Sequence, residues 1–455
     1  MRLPAGAHIN IVGAGLAGAL LALLLARHGL AVALYERRAD PRQGQPERGR
    51  SINLALAARG MCALERAGVL ESVRPLLIPM RGRMVHDRER AVALQPYGQR
   101  EHEVIFSVGR ADLNRVLIEA AARHGNVSVR FNQQCLRADL GGRQLSFRDG
   151  VSGREYQLPL ARTIATDGAG SLIRASLAAA ELVRVREEWL DHDYKELTIP
   201  AASGRALERH ALHIWPRGGF MLIALPNTDG SFTATLFLAR AGPRSFAALT
   251  TPRAVEEFFA VEFADALPLL PDLAAQFEAH PQGQLGTVYT MPWHVRGEVL
   301  LLGDAAHAIV PFHGQGMNAA FEDCAELDAL LASSNDWDDL FVRFEQSRRP
   351  NTAAIAQMAL ENYLEMRDTV LDVGFVRRKA LAMALERRFP DRFIPRYSMV
   401  MFHPEIPYAE ALRRGAVQAQ LLDELDPGEA AARGAALDLD RAGRLIGERL
   451  PPVAP

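Results

Sequence analysis

Cysteine is scarce in this chain of 455 residues: there are three, Cys62, Cys135 and Cys324. They lie far apart and form no C-x-x-C pair. That excludes a disulfide framework and a cysteine-based metal site of ordinary spacing, and leaves free thiols in a reducing compartment as the expectation. Charge imbalance is missing too. Lys and Arg number 52 against 54 Asp and Glu, so composition offers no footprint for nucleic acid. Long apolar runs are absent. The strongest, residues 20–26, is far short of the ~20 residues a bilayer span needs, and no small-residue cleavage site follows it. Internal repeats and low-complexity linkers are also lacking. What remains is an ordinary globular composition, 49% apolar and 23% charged, at a length that calls for two or three domains. We expect a cytoplasmic protein with neither membrane nor nucleic acid as a partner, and either a monomer or a homodimer.

The most organised stretch is residues 9–18. An apolar run, Ile9-Asn10-Ile11-Val12, ends in Gly13-Ala14-Gly15-Leu16-Ala17-Gly18, and an apolar helix pattern follows to residue 28. This reads as the strand, tight turn and helix of a dinucleotide-binding unit. Gly13 allows the turn. Gly15, with Leu16 beside it, lets the backbone approach a pyrophosphate. Gly18 lets the helix lie on the strand. A second strand over 31–35 ends in Glu36, where a carboxylate accepts from ribose hydroxyls, with Arg37 next to it. The rival reading is a glycine turn that merely packs a helix on a sheet.

Further along, helical patterns cover 58–69 and 112–124, and short strands cover 84–86, 91–94, 104–108, 127–132 and 144–147. A buried strand over 163–166 runs into Asp167-Gly168. From 194 to 238 the chain changes character. Alternating apolar runs with turn signals predict an antiparallel sheet, clearest in a hairpin of 222–225 and 231–238 closed by Asn227-Thr228-Asp229-Gly230. Residues 252–277 read as helix and 299–302 as a buried strand. From 316 onward the chain is mostly helical, with Pro350, Pro390 and Pro395 as punctuation. The expected organisation is a nucleotide-binding α/β domain over 1–180, with 80–100 contributing to the substrate pocket, then a sheet-rich substrate domain over 181–285. A return segment of the first domain spans 286–345 and a helical region 346–455.

Residues Gly303-Asp304-Ala305-Ala306-His307 follow a buried strand and precede Pro311-x-x-Gly314-x-Gly316-x-Asn318. Together with Asp167-Gly168-Ala169-Gly170-Ser171-x-x-Arg174, these strings resemble the fingerprints of single-component FAD aromatic hydroxylases. Physically, a carboxylate there can accept from a ribityl hydroxyl, and glycines bare N–H groups at a helix N-terminus beside the flavin carbonyls. The resemblance implies a Rossmann-like FAD domain of the hydroxylase type, an inserted antiparallel sheet and a C-terminal helical region. It implies bound FAD, contacted by Ala55, Arg110, Leu136, Asp167, Asp304, Pro311, Gly314, Gln315, Gly316, Met317 and Asn318. One nucleotide fingerprint rather than two fits an NADPH that visits transiently.

More strings narrow the resemblance to the kynurenine-hydroxylating branch of that family. They are Gly49-Arg50-Ser51-Ile52-Asn53-Leu54-Ala55-Leu56, Met80-Arg81-Gly82-Arg83-Met84, Gln95-Pro96-Tyr97-Gly98, Asp193-Tyr194-Lys195-Glu196-Leu197, Pro311-Phe312-His313-Gly314-Gln315-Gly316-Met317-Asn318, Phe321-Glu322-Asp323-Cys324 and Glu361-Asn362-Tyr363. Ala57, His313 and Ala320 depart from residues common in relatives, and none removes a polar site group. The branch implies L-kynurenine as substrate. Its carboxylate would sit on Arg83, an arginine fork being suited to it, with Tyr97, Tyr397 and Asn362 around the polar tail. Leu212, Ile223, Leu225, Phe237, Phe312, His313 and Met366 would wall the ring. The implied reaction is hydroxylation to 3-hydroxy-L-kynurenine with NADPH and O2 through a flavin hydroperoxide, in tryptophan degradation. Two alternatives stand beside it: a hydroxylase of another aromatic substrate, and a non-enzymatic binding protein on the same fold.

Overall fold

The computed structural model describes residues 8–43, 53–89, 92–334, 336–369, 372–426 and 438–453. Of the stretches read above, the string 49–52, residue 91, the tail segment 427–437 and part of the loop after Glu36 lie outside the described residues.

A parallel sheet forms the base. Strand His8–Val12 sits between Arg162–Ala165 and Ala31–Tyr35. Val299–Leu301 extends one side and Val127–Arg130 the other, with His294–Val295 antiparallel at the edge. Strands Ala31–Tyr35 and Val299–Leu301 are apolar throughout because both of their faces are covered, as in parallel sheets generally. Helix Leu16–Arg27 is buried around nearly its whole circumference. It packs against helices Arg110–Ala122 and Gly316–Leu331 as well as the sheet, which is why it carries no polar stripe. The fold class is therefore α/β, with the nucleotide-binding sheet interrupted in the chain.

The interruption is a second, seven-stranded sheet. Its order is Gln282–Met291, Arg184–Ile199, Phe232–Ala239, Met221–Pro226, Leu212–Pro216, Gly82–His86, Val92–Pro96. The expected hairpin is there, antiparallel from Met221↔Phe237 to Pro226↔Phe232. Side chains alternate between its two faces. Trp215, Leu222, Ala234 and Leu236 face one way, into a core with Phe259 and Phe263. The pairs Leu212↔Arg83, Ile223↔Thr235, Leu225↔Thr233 and Tyr194↔Phe237 put the opposite set on one shared face. That face looks back toward the nucleotide-binding sheet.

Two helical expectations are corrected. The 252–277 helix is broken into Pro252–Glu262 and Leu273–Ala279 around a short turn at Leu267–Leu269. Pro268 and Pro271 lack the amide hydrogens a continuous helix would need. Pro350, by contrast, does not punctuate: it lies inside the 28-residue helix Trp337–Leu364. Burial of Phe344, Arg348, Thr352 and Ile355 on both sides of it outweighs one lost hydrogen bond. Helices Val373–Arg388, Arg396–Phe402, Tyr408–Leu425 and Leu439–Arg449 complete the C-terminal region. Among the described residues no helix is long and apolar enough to cross a membrane.

Candidate active site

A cavity of about 960 Å³ lies between the two sheets. One end is lined by Gly15, Leu16, Arg110, Gly168, Asp304 and Gly316. Helices Leu16–Arg27 and Gly316–Leu331 both begin here without a capping side chain, so their first N–H groups are available to an anion or a carbonyl. The glycines divide by task. A Cβ on Gly13 would stand 2.5 Å from the Thr166 carbonyl oxygen, and one on Gly18 would stand 1.9 Å from that of Gly13. These two are small so that turn, helix and strand can touch. A Cβ on Gly15 or Gly168 would meet nothing within 4 Å, because both face the hollow. Gly314 takes the left-handed φ of 66° and brings a turn up to Ala55. Nearby, Asn53 Oδ1 and Asp167 Oδ1 are buried without a hydrogen-bond partner, and burial raises the Asp167 carboxyl above its ordinary range. A cradle that glycine keeps open, two uncapped helix starts and orphaned acceptors fit a dinucleotide such as FAD.

The second fingerprint is held rigidly from behind. Asp323 Oδ2 accepts from Gly303 N at 3.1 Å and lies 2.6 Å from His307 Nε2, while Arg348 Nε donates to Oδ1 at 2.7 Å. Burial pushes the Asp323 carboxyl up, yet His307 and Arg348 together hold it below the usual carboxylate range. Arg174, of the third fingerprint, donates to Ala305 O at 2.9 Å and also to Ala169 O, tying the two fingerprints together.

At the other end the walls are Leu212, Ile223, Leu225, Phe237, Phe312 and Met366. Phe312 packs on Phe237 at 4.9 Å and stacks on Tyr363 at 4.0 Å between centroids. Beyond them is a polar terminus. Arg83, only 4% exposed, pairs with Glu365 at 3.0 Å and lies 3.4 Å from Asn362 Oδ1. Asn362 is fixed by a 2.6 Å bond from its Nδ2 to the Phe312 carbonyl. Tyr97 and Tyr397 stack 5.4 Å apart under the guanidinium, and His313 stacks on Tyr397. Burial raises both phenols, so they remain O–H donors. Burial, then the charge of Arg83, pushes His313 down to about 3; it is a neutral ring.

A family model described as an FAD binding domain matches residues 7–359. The kynurenine 3-monooxygenase of Stenotrophomonas maltophilia (strain K279a) is 50% identical over 416 residues, 91% of each chain. That of Myxococcus xanthus (strain DK1622) is 47% identical over 446 residues, 98% of this chain and 96% of the relative. The chain belongs to the kynurenine 3-monooxygenase family. It is thus an FAD-dependent monooxygenase. The fold agrees with solved hydroxylases. A tetrameric 2-methyl-3-hydroxypyridine-5-carboxylic acid oxygenase has a TM-score of 0.65 at 21% identity, covering 80% of this chain and 94% of its own. The p-nitrophenol 4-monooxygenase of Pseudomonas putida DLL-E4 has 0.65 at 18%, covering 85% and 94%.

All eleven residues expected around the substrate line this cavity. Of those expected at the cofactor, Gly15, Leu16, Ala55, Arg110, Asp304, Pro311, Gly314, Gly316 and Met317 line it. Gly13 and Gly18 lie beneath the turn. Glu36 stands at the end of the turn, accepting from Ala14 N at 2.9 Å and Arg38 N at 3.0 Å, and Arg37 is exposed. Two side chains are spent inside the protein. Gln315 bonds to Tyr408 and Met401, and Asn318 bonds to Ala57 N, Ala55 O and Gly314 O. Their side chains brace the corner. Asp167 binds the start of the next helix through Leu172 N. Leu136 is half-buried on strand Gln133–Asp139, away from the cavity wall. Sequence reading missed Glu365. Its spacing of three from Asn362, one turn along a helix, was the available signal. It also missed Trp189, 52% exposed yet lining the cavity, which no motif marks.

Proposed function

We propose that this chain hydroxylates L-kynurenine to 3-hydroxy-L-kynurenine, consuming NADPH, a proton and O2 and releasing NADP+ and water. The observation that carries the reading is buried Arg83, with Tyr97, Tyr397 and Asn362 around it, at the end of a hollow walled by Leu212, Ile223, Leu225, Phe237 and Phe312. An α-amino acid brings a carboxylate, and a buried arginine fork holds it in two parallel hydrogen bonds. The carboxylate sits on Arg83 with the Tyr97 and Tyr397 hydroxyls donating to it, and Asn362 holds the polar tail. The aminophenyl ring then lies against Leu212, Ile223, Leu225, Phe237 and Phe312, pointed at the Gly314–Gly316 corner.

FAD, when bound, supplies O2 activation and oxygen transfer. The residues that would hold it are the helix starts at Leu16 and Gly316, with Glu36 for a ribose and Asp304 for the ribityl chain. The protein contributes position and dryness: apolar walls exclude water, and neutral His313 offers no acid to the reacting centre. NADPH comes and goes without a second nucleotide fold. The test is direct. Purified protein is yellow, L-kynurenine accelerates NADPH oxidation, and 3-hydroxykynurenine accumulates. Oxidation without hydroxylated product, or faster hydroxylation of a phenolic acid in a substrate panel, overturns the reading.

A further inference from the structure

Behind the Arg83 wall lies a second cavity of about 410 Å³. Arg83, Tyr97, His313, Asn362 and Tyr397 line both cavities, so one layer of side chains divides them. The rest of the second cavity belongs to the C-terminal helices. Its apolar side includes Phe375, Met383 and Leu422. Its charges come from four elements. Arg378 is paired with Asp423 at 2.8 Å, Arg396 with Glu361 at 2.5 Å, and Arg83 with Glu365 at 3.0 Å. Lys379, half-buried on helix Val373–Arg388, has no carboxylate within ion-pair reach among the described residues. Every other cation on this lining is neutralised, and Lys379 alone leaves a net positive charge facing the space.

We propose that this second cavity is a docking site for an aromatic carboxylate, with the carboxylate on Lys379 and the ring against Phe375, Met383 and Leu422. An unpaired ammonium beside an apolar wall in a space this size matches that chemistry. The site stands on its own geometry; naming L-kynurenine as its natural visitor rests on the function proposed above, and makes it an outer station one side-chain layer from the inner one. Burial, then the charge of Arg83, pushes Lys379 down to about 8, against a smaller opposite pull from Glu365. The outer site therefore weakens as pH rises through that value and the ammonium loses its proton.

Equilibrium dialysis of the holoenzyme with L-kynurenine, without NADPH, counts both sites, while flavin absorbance reads the inner one. The expected result is two ligands per FAD for the wild type and for Lys379→Arg, and one for Lys379→Met, with the absorbance midpoint unchanged in all three. Raising the pH to 9.5 removes the second ligand from the wild type. One ligand per FAD in the wild type, or two with unaltered affinity in Lys379→Met, overturns the proposal. A flavin that never responds to L-kynurenine, alongside one Lys379-dependent ligand, overturns the proposed substrate and leaves the outer site standing.

Discussion

Replacing Arg83 by Met tests the site at its most demanding point. Arg83 is 4% exposed and its guanidinium lies 3.0 Å from Glu365 and 3.4 Å from Asn362. Methionine keeps most of the stem and removes the charge, so packing under Tyr97 and Tyr397 is largely retained. The substrate carboxylate then faces buried phenols and a carboxylate with no cation. Truncating one partner of a buried, hydrogen-bonded charge pair costs about 2–5 kcal/mol, and each 1.4 kcal/mol is about tenfold. The dissociation constant for L-kynurenine should therefore rise by roughly 30- to 3000-fold, read as the flavin absorbance change on titration. FAD content should stay the same, because Arg83 lies at the far end of the cavity from the glycine turns. The double variant Arg83→Met/Glu365→Gln separates two explanations. If Arg83 acts only by neutralising Glu365, the double variant recovers binding; if it holds the substrate, binding stays weak. A change of less than tenfold in Arg83→Met, or loss of FAD with the substrate site intact, would refute the reasoning.

Three further outcomes follow from the geometry. Gly15→Leu keeps its far-UV spectrum and loses at least tenfold in FAD affinity, since a side chain there enters open space, whereas Gly18→Ala loses folded protein, since its Cβ would lie 1.9 Å from a carbonyl oxygen; equal behaviour of the two would contradict the division of the glycines. Asp323→Asn lowers the melting temperature by an amount consistent with about 3–5 kcal/mol and loosens FAD, because it breaks a buried pair to Arg348 and His307; a thermal scan with flavin fluorescence reads both. Burial pushes His213 down to about 4 from an ordinary 6.5, so between those values the unfolded chain binds the extra proton and stability falls as pH drops, by on the order of 3 kcal/mol in total. The urea midpoint of His213→Gln should lose less than that of the wild type between pH 6.5 and 4, and parallel curves would rule the histidine out.

The polar strings were the most legible part of the molecule. Arg83, Tyr97 and Asn362 each sit in a distinctive local sequence, and the chain brings them together from a strand, a turn and a long helix. Alternation along 222–238 revealed the apolar wall because a sheet with two different faces writes its period into the sequence. What alternation could not show was which face held the cavity; that depended on helices Pro252–Glu262 and Leu273–Ala279 covering the other. Gln315 and Asn318 lie inside a cofactor fingerprint, yet their side chains turn into the protein, because the turn at Gly314 and the strand at Ala55 need donors and acceptors of their own. Trp189 and Lys379 were invisible for a simpler reason. Nothing in their neighbours along the chain foretells that distant segments leave one exposed on a rim and the other unpaired.

Strand Val299–Leu301 lies directly against Arg162–Ala165, although five strands of the seven-stranded sheet are threaded between them in the chain. Synthesis on the ribosome therefore delivers the first glycine turn early and the complementary Gly303–Asn318 corner late. A nascent chain offers the cofactor half a cradle until that corner has emerged and its parallel pairing, a slow non-local step, has closed. Capture of FAD then belongs to the end of folding, and flavin supply would govern how many finished chains lock into the native state rather than how many begin to fold.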